Sequence, residues 1–203
     1  MRLLADTDVL CKLMATGLLE AAADLLGAKA SAVERLPALP HMLRRGKSLR
    51  RMLGDELANR LAPLAEALPQ VPVPPPEVAA LLAGKDNIDP GEVQLFAVTA
   101  DEALLLLSGD KRALQAVARE DAVVSKLAGK IVCLEAILLA LCKKLGSDAV
   151  RAAVRPQERL DKVFSICFAP GTRVPEECLG SYLRNLQSAV TPLVLWMPAG
   201  GAP

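Results

Sequence analysis

Apolar residues in the first third of the chain follow two periodicities, those of short buried strands and of amphipathic helices. Residues 3–5 are apolar and end in acidic residues, and apolar positions then recur at three- and four-residue spacing as far as Leu19. This pattern predicts a strand followed by a helix. Residues 29–36 predict a second short strand, and residues 49–68 predict an amphipathic helix that is kinked at Pro63.

The middle of the chain continues the alternation. Residues 69–76 are too rich in proline for a central strand and predict an extended connection. Asp89 is followed by proline and, three residues on, by Glu92, which is typical of a capped helix start and predicts a helix as far as about Asp101. Residues 103–107 are apolar without alternation, which predicts a strand covered on both faces.

The remaining pattern completes an α/β fold with a central parallel sheet. Its elements are a helix at 111–120, a strand at 131–134, a helix at 135–145 that Gly146 closes, and two further helical stretches at 147–167 and 175–189. We therefore expect an α/β domain over residues 1–145. Residues 146–203 are expected to form a helical extension that packs on this core or extends it.

Composition excludes several functional classes. The chain has 203 residues, of which 52% are hydrophobic and 23% charged, so it is expected to fold. Its formal net charge of +1 cannot by itself drive binding to nucleic acid or membranes. Only 2% of residues are aromatic, which argues against an RNA-binding module that stacks bases.

The five cysteines and the apolar segments indicate the cellular location to expect. The cysteines are odd in number and lack metal-type spacing, so we expect them to be reduced and buried in a cytoplasmic protein. Asp6, Asp8 and Lys12 interrupt the apolar stretch that a secretion signal needs. The longest uncharged stretch, from Leu186 onward, contains three prolines, so no membrane-spanning segment is expected.

Acidic residues follow two of the predicted strands. Ligands of parallel sheets bind beyond the carboxyl ends of the strands, where Asp6 and Asp110 fall. Glu92 joins them if its helix begins at that edge. Three converging carboxylates would repel one another unless a cation such as Mg²⁺ or Mn²⁺ lay between them. The competing interpretation is that these residues, with Asp8 and Asp89, only cap helices.

Three segments resemble the PIN-domain family. Residues 3–10 look like the family's first strand, which ends in an aspartate followed by a small hydroxyl residue and Asn, Ser or Asp. Residues 89–97 are similar to the segment that supplies a later acid at a helix start. Residues 106–112 resemble the strand that ends in Thr-x-Asp. The segments occur in the family's order and cover roughly residues 1–145.

The resemblance implies a three-layer α/β/α PIN-like fold with a central parallel sheet, and a metal-dependent ribonuclease. Asp6, Glu92 and Asp110 would then be the catalytic metal ligands for Mg²⁺ or Mn²⁺, with Asp8 as a further ligand. Ser108 would orient a ligand or the attacking water. Many small bacterial members are toxins, so the implied partners are RNA and a cognate antitoxin protein; the sequence leaves open whether the chain forms a homodimer.

The sequence departs from the family pattern after the second strand, where another acid is usual. Basic residues occur there instead, and Glu34 is the nearest substitute. A fourth acid is also missing after Asp110. The cations in this region and after Asp110 predict contacts with RNA phosphates; they are Arg44, Arg45, Lys47, Arg50, Arg51, Lys111 and Arg112. For the run at 44–51, a solvated helix start is an equally good explanation.

Two alternatives to a nuclease stay open. The basic residues in place of an acid favour a degenerate PIN-like domain that binds RNA or protein without cutting. The Asp6-Thr7-Asp8 motif also resembles the Asp-x-Asp of haloacid-dehalogenase-type phosphatases, in which the first acid is the nucleophile and the second is the general acid. Those enzymes need a glycine-rich continuation and a later acidic pair, which this chain does not supply well.

Overall fold

A four-stranded parallel sheet forms the centre of the molecule. The computed structural model describes residues 1–172 and 174–198. The strands lie in the order β2-β1-β3-β4, so β1 and β3 are the inner strands. The α/β class and the parallel sheet predicted from the sequence are confirmed. The strands are β1 (Arg2–Ala5), β2 (Val33–Arg35), β3 (Leu104–Leu107) and β4 (Ile131–Val132).

Strand register brings the ends of the inner strands to one edge of the sheet. Ala5, the last residue of β1, pairs with Arg35 of β2 and with Leu107 of β3. Leu107 in turn pairs with Val132, the last residue of β4. All four strands therefore end at the same level, which we call the carboxyl edge.

The proline-rich connection lies beside the outer edge of β2. Arg35 forms a single parallel bridge with Gln70, through hydrogen bonds from the Arg35 amide to the Pro69 carbonyl (3.0 Å) and from the Val71 amide to the Arg35 carbonyl (2.9 Å). Proline cannot donate to a ladder, so the prolines after Val71 limit the pairing to this one bridge. The predicted extended connection is confirmed.

Helices connect the strands and follow the last one. Two 3₁₀ helices, Ala30–Ala32 and Arg155–Leu160, accompany them. In the described part of the chain the α-helices are α1 (Thr7–Thr16), α2 (Leu19–Leu25), α3 (Leu39–Arg45), α4 (Lys47–Leu53), α5 (Asp55–Ala67), α6 (Pro76–Leu82), α7 (Pro90–Asp101), α8 (Lys111–Val117), α9 (Asp121–Leu127), α10 (Leu134–Leu145), α11 (Ser147–Val154), α12 (Lys162–Cys167) and α13 (Pro175–Val190).

The segment predicted as one helix at 49–68 forms two helices. The chain breaks at Gly54, between α4 and α5, and Pro63 lies inside α5. Gly54 has φ +83°, a conformation that residues with a Cβ rarely adopt. The prediction of a single helix was therefore wrong, because the glycine turns the backbone out of the helical region.

The segment after Gly146 packs on the rest of the molecule. Helix α13 lies against α10 and α8, and α12 lies against α13. Its apolar residues belong to the same buried core as those of the sheet. The chain then returns along the outer edge of β4, where the amide of Gly129 donates to the Val194 carbonyl (2.7 Å) and the amide of Trp196 donates to the Ile131 carbonyl (2.8 Å).

Two of the five cysteines are not reduced. Cys167 at the end of α12 and Cys178 in α13 form a disulfide, so the expectation of five free thiols was wrong for this pair. Cys11, Cys133 and Cys142 are free and buried, as expected. The two helical stretches pack side by side, and this packing brings the two sulfurs together.

None of the helices in the described residues combines the length and apolar character that crossing a bilayer requires.

Candidate functional site

Asp6 lies at the carboxyl edge, directly after β1. Its backbone amide donates to the Leu107 carbonyl of β3 (2.8 Å), which extends the pairing of the two strands by one residue. Its side chain caps α1, because Oδ1 accepts a hydrogen bond from the Thr7 amide (2.7 Å). Asp6 is thus a helix cap and also a carboxylate in the middle of the sheet's edge.

Glu92 lies in the first turn of α7, and this turn begins at the same edge. A Cβ added to Gly91 would come within 2.8 Å of a methyl group of Leu36, the residue that follows β2. The predicted capping box is confirmed: the Glu92 amide donates to Asp89 Oδ1, and the Asp89 amide donates to Glu92 Oε2, both at 2.8 Å. Because α7 begins at the carboxyl edge, Glu92 lies at the same edge as Asp6 and Asp110.

Asp110 follows β3 and caps α8. Its Oδ1 accepts from the amides of Arg112 (2.8 Å) and Ala113 (3.2 Å). An open cleft of about 360 Å³ lies over the starts of α7 and α8, so solvent and ligands reach Glu92 and Asp110 directly. The residues that line the cleft are Asn87, Ile88, Asp89, Glu92, Asp110 and Arg112.

Two of the acids at this edge have raised pKa values. Burial, together with the nearby charges of Asp8 and Asp89, raises the pKa of Asp6 to about 6. Burial also raises the pKa of Glu92 to about 7, with contributions from the charges of Asp89, Asp110 and Asp6. The structure therefore brings Asp6, Glu92 and Asp110 together, and we call these three residues the acidic group.

The acidic group suits a divalent cation by its chemistry. Mg²⁺ and Mn²⁺ prefer carboxylate oxygens, and a cation between these residues would favour the ionised forms of Asp6 and Glu92, which burial and neighbouring negative charges disfavour. Within residues 1–172 and 174–198, no three Asp, Glu, His or Cys side chains are already close enough to form a complete ligand set. Mg²⁺ is commonly held by one or two carboxylates and several waters, so Asp6, Glu92 and Asp110 would suffice.

Asp8 is engaged by a lysine on its own helix. Lys12 Nζ lies 2.5 Å from Asp8 Oδ2 and 2.5 Å from Asp161 Oδ2, and the lysine side chain is only 9% exposed. Asp161 caps α12 through a hydrogen bond from the Val163 amide (2.7 Å). Asp8 thus has a cation of its own, which distinguishes it from the three residues of the acidic group.

Ser108 and Glu34 occupy different positions relative to the acidic group. Ser108 is buried between β3 and Asp110, and its amide donates to the Val132 carbonyl (3.1 Å). Glu34 is buried in β2, where its carboxylate accepts two hydrogen bonds from Arg2 (2.7 and 2.9 Å). Ser108 therefore remains adjacent to the acidic group, whereas Glu34 is committed to an ion pair at the start of β1.

The basic run from Arg44 to Arg51 contains residues of two kinds. Arg44 forms a salt bridge with Glu66, and Arg50 binds Asp55 Oδ1 (2.6 Å) as well as the Leu43 carbonyl. These two arginines hold α3, α4 and α5 together. These contacts give Arg44 and Arg50 a structural role that does not depend on a ligand.

The other three cations of this run are available to a ligand. Arg45, Lys47 and Arg51 are exposed and form no salt bridge within the described residues. Together with Arg44, Arg50, Gly54 and Asp55 they line a depression of about 550 Å³. We call Arg45, Lys47 and Arg51 the basic patch.

Contacts link the basic patch to the carboxyl edge. Arg159 donates to the carbonyl of Leu53, next to Gly54 in the wall of the depression (2.8 Å). Two residues further along the chain, Asp161 binds Lys12 on α1. Lys111 and Arg112 are exposed in the first turn of α8, and Arg112 faces the acidic cleft. The 155–161 segment therefore connects the two charged regions.

Several interactions at this edge were not predicted from the sequence. Besides capping α7, Asp89 contributes its charge to the raised pKa values of Asp6 and Glu92. Burial raises the pKa of Glu135 in the first turn of α10, and the charges of Asp161 and Lys12 also act on it. The Asp8–Lys12 pair has the four-residue spacing of a helical ion pair, so the sequence contained that signal. Asp161 lies 149 residues from Lys12, and no local pattern reveals that contact.

No protein-family model, curated protein or solved structure matches this chain. The function is therefore inferred from the geometry and chemistry of its own residues.

Proposed function

We propose that the chain is a metal-dependent ribonuclease of the PIN-like type that hydrolyses RNA phosphodiester bonds. The observation that carries the proposal is the acidic group. Asp6, Glu92 and Asp110 come from three separate segments and meet at the carboxyl edge of a parallel sheet, beside an open cleft. Helix caps account for acids at this edge, but they do not account for the buried position of Asp6 or for the raised pKa of Glu92, to which burial and then the charges of Asp89, Asp110 and Asp6 contribute.

The sheet supports the PIN-like part of the proposal. Its order is β2-β1-β3-β4, and Gln70 adds one bridge outside β2. Helices α1 and α2 connect β1 to β2, and α7 leads into β3 and packs against both inner strands. A three-layer α/β/α arrangement with the helical C-terminal segment on its β4 side is the architecture that we propose on this basis.

The acidic group and Arg112 have distinct tasks in this proposal. A divalent cation bound there would supply positive charge to the phosphate oxygens and promote ionisation of a water. Asp6, Glu92 and Asp110 would hold the cation, and the water that it activates would lie in the cleft that Glu92 and Asp110 line. Arg112 lines the same cleft and would contact the phosphate.

The basic patch supplies the affinity for RNA that the net charge of +1 does not. Arg45, Lys47 and Arg51 would bind phosphates at the depression beside Gly54, and Lys111 and Arg112 would bind those at the acidic cleft. Contacts of this kind are made with the backbone and carry no sequence information by themselves. The proposal therefore concerns RNA as a substrate class.

The cell compartment and the protein partner belong to the same proposal. A toxin that cleaves RNA would act in the cytoplasm and would be inhibited by an antitoxin. The Cys167–Cys178 disulfide is unusual for that compartment, where thiols are kept reduced. We therefore propose the nuclease activity first, and the toxin role as its biological setting.

The test is cleavage of a structured RNA pool by the purified full chain with Mg²⁺, Mn²⁺ or EDTA. Asp6→Asn and Asp110→Asn keep the capping oxygens and remove the charges, and Asp121→Asn is a matched control in the first turn of α9. We expect metal-dependent cleavage by the wild type and the control, and a loss of 100-fold or more in the other two variants. Equal cleavage by all four proteins would contradict the proposal.

A degenerate PIN-like domain that binds RNA or protein without cutting is the second candidate. It is favoured by the cations among the acids, since Lys12 neutralises Asp8 and Arg112 lines the acidic cleft. Such a domain would still bind RNA through the basic patch. It would show no saturable stabilisation by Mn²⁺ that disappears in Asp6→Asn or Asp110→Asn, and no metal-dependent cleavage.

A further inference from the structure

Lys12 is a buried cation held between carboxylates from two distant parts of the chain. Its Nζ is 2.5 Å from Asp8 Oδ2 in the first turn of α1 and 2.5 Å from Asp161 Oδ2 at the start of α12. Transfer of an ammonium group out of water is unfavourable unless it is paired and hydrogen-bonded. The two carboxylates meet that requirement, and they fix the ammonium at one point of the carboxyl edge.

This point adjoins the acidic group. Asp8 is two residues from Asp6, and its charge contributes to the raised pKa of that carboxyl. Asp8 and Asp161 contact Lys12 directly, whereas Glu135, in the first turn of α10, lies near enough for the charges of Asp161 and Lys12 to act on its pKa. We call Lys12 with these three acids the lysine group.

Two adjacent sets of carboxylates are the arrangement in which phosphodiester-cleaving enzymes hold two metal ions about 3.5–4 Å apart. In this chain the second set already contains a positive charge. The ammonium is covalently attached, and it uses one oxygen of Asp8 and one oxygen of Asp161. A divalent cation could not approach these oxygens without displacing the lysine.

We propose that the ammonium of Lys12 takes the place of a second divalent cation, so that the carboxyl edge binds one divalent cation per chain. Asp161, which the C-terminal segment contributes, acts as the positioning residue for Lys12. Asp8 then serves as a partner of Lys12 and not as a metal ligand. The position of the first cation, in the acidic group, rests on the proposed function.

The experiment counts Mn²⁺ ions bound to the purified full chain, by titration calorimetry and by electron paramagnetic resonance of free Mn²⁺. We expect one equivalent for the wild type and one for Lys12→Arg, which keeps the charge. Lys12→Met leaves Asp8, Asp161 and Glu135 without their cation, and we expect it to bind two equivalents. Lys12→Met combined with Asp161→Asn should return to one.

Folding is checked by circular dichroism, and Lys12→Gln replaces Lys12→Met if the latter does not fold. Glutamine can donate to both carboxylates but carries no charge. A wild type that binds two equivalents, or a folded uncharged variant that binds no more than the wild type, would overturn the inference. A wild type that binds none, with one equivalent gained in Lys12→Met, would support the inference and contradict the acidic group as a cation site.

Discussion

Replacing Asp6 with asparagine is expected to stabilise the chain at pH 8 when EDTA removes divalent cations. Asparagine has the shape of aspartate and retains the oxygen that accepts from the Thr7 amide, so the cap on α1 is kept. What the substitution removes is a carboxylate that burial and the charges of Asp8 and Asp89 disfavour in its ionised form. Under the proposed function, the wild type keeps this unfavourable charge because Asp6 is a ligand of the divalent cation.

The magnitude follows from the pKa of Asp6, which rises from an ordinary 3.8 to about 6 on folding. Between these values the folded state retains a proton that the unfolded state has lost, so stability falls as the pH rises through this window. Above pH 6 the full difference of about 3 kcal/mol is in effect. Solvent screening of the partly buried side chain reduces it, and we expect Asp6→Asn to gain about 2 kcal/mol at pH 8.

The assay is urea unfolding of wild type and Asp6→Asn in EDTA, at pH 8 and near pH 4. The variant should be more stable at pH 8 and close to the wild type near pH 4, where Asp6 of the folded wild type is already protonated. Saturating Mn²⁺ should stabilise the wild type and remove most of the variant's advantage. A variant that is less stable than the wild type at pH 8 in EDTA would refute the reasoning.

Three further predictions concern other parts of the molecule. Replacing Arg45, Lys47 and Arg51 together with glutamine should weaken RNA binding and reduce the slope of log affinity against log salt by about 2 in filter binding; an unchanged slope would exclude the basic patch as a phosphate site. Cys167→Ser should lower the free energy of unfolding by about 3 kcal/mol, since the disulfide closes an 11-residue separation, and the reductant dithiothreitol should then have no further effect in urea unfolding. Gly54→Ala should lower the free energy of unfolding by about 1 to 2 kcal/mol because φ is +83°, and an unchanged melting temperature would contradict this.

The sequence determined the elements that depend on local signals. The capping box of Asp89 and Glu92 predicted the start of α7, and the run at 103–107 predicted β3, because both depend on neighbouring residues. Apolar spacing did not distinguish one helix from two at 49–68. Buried leucines recur every four residues across Gly54, at Leu49, Leu53, Leu57 and Leu61, so the break is visible only in the backbone.

The candidate site was predictable to the extent that it follows the strands. Asp6 and Asp110 come directly after β1 and β3, and parallel strands bring their carboxyl ends together. Asp161 was not predictable, because its contact with Lys12 depends on how the C-terminal segment packs on α1. The Cys167–Cys178 disulfide likewise depends on the meeting of α12 and α13.

Anomalous scattering from a crystal of the full chain soaked in Mn²⁺ would test the central claim most directly. We predict one manganese peak per chain, between the carboxylates of Asp6, Glu92 and Asp110, with Lys12 still bound to Asp8 and Asp161. A peak coordinated by other residues, or a crystal that takes up no Mn²⁺ at this edge although the side chains are accessible, would contradict it.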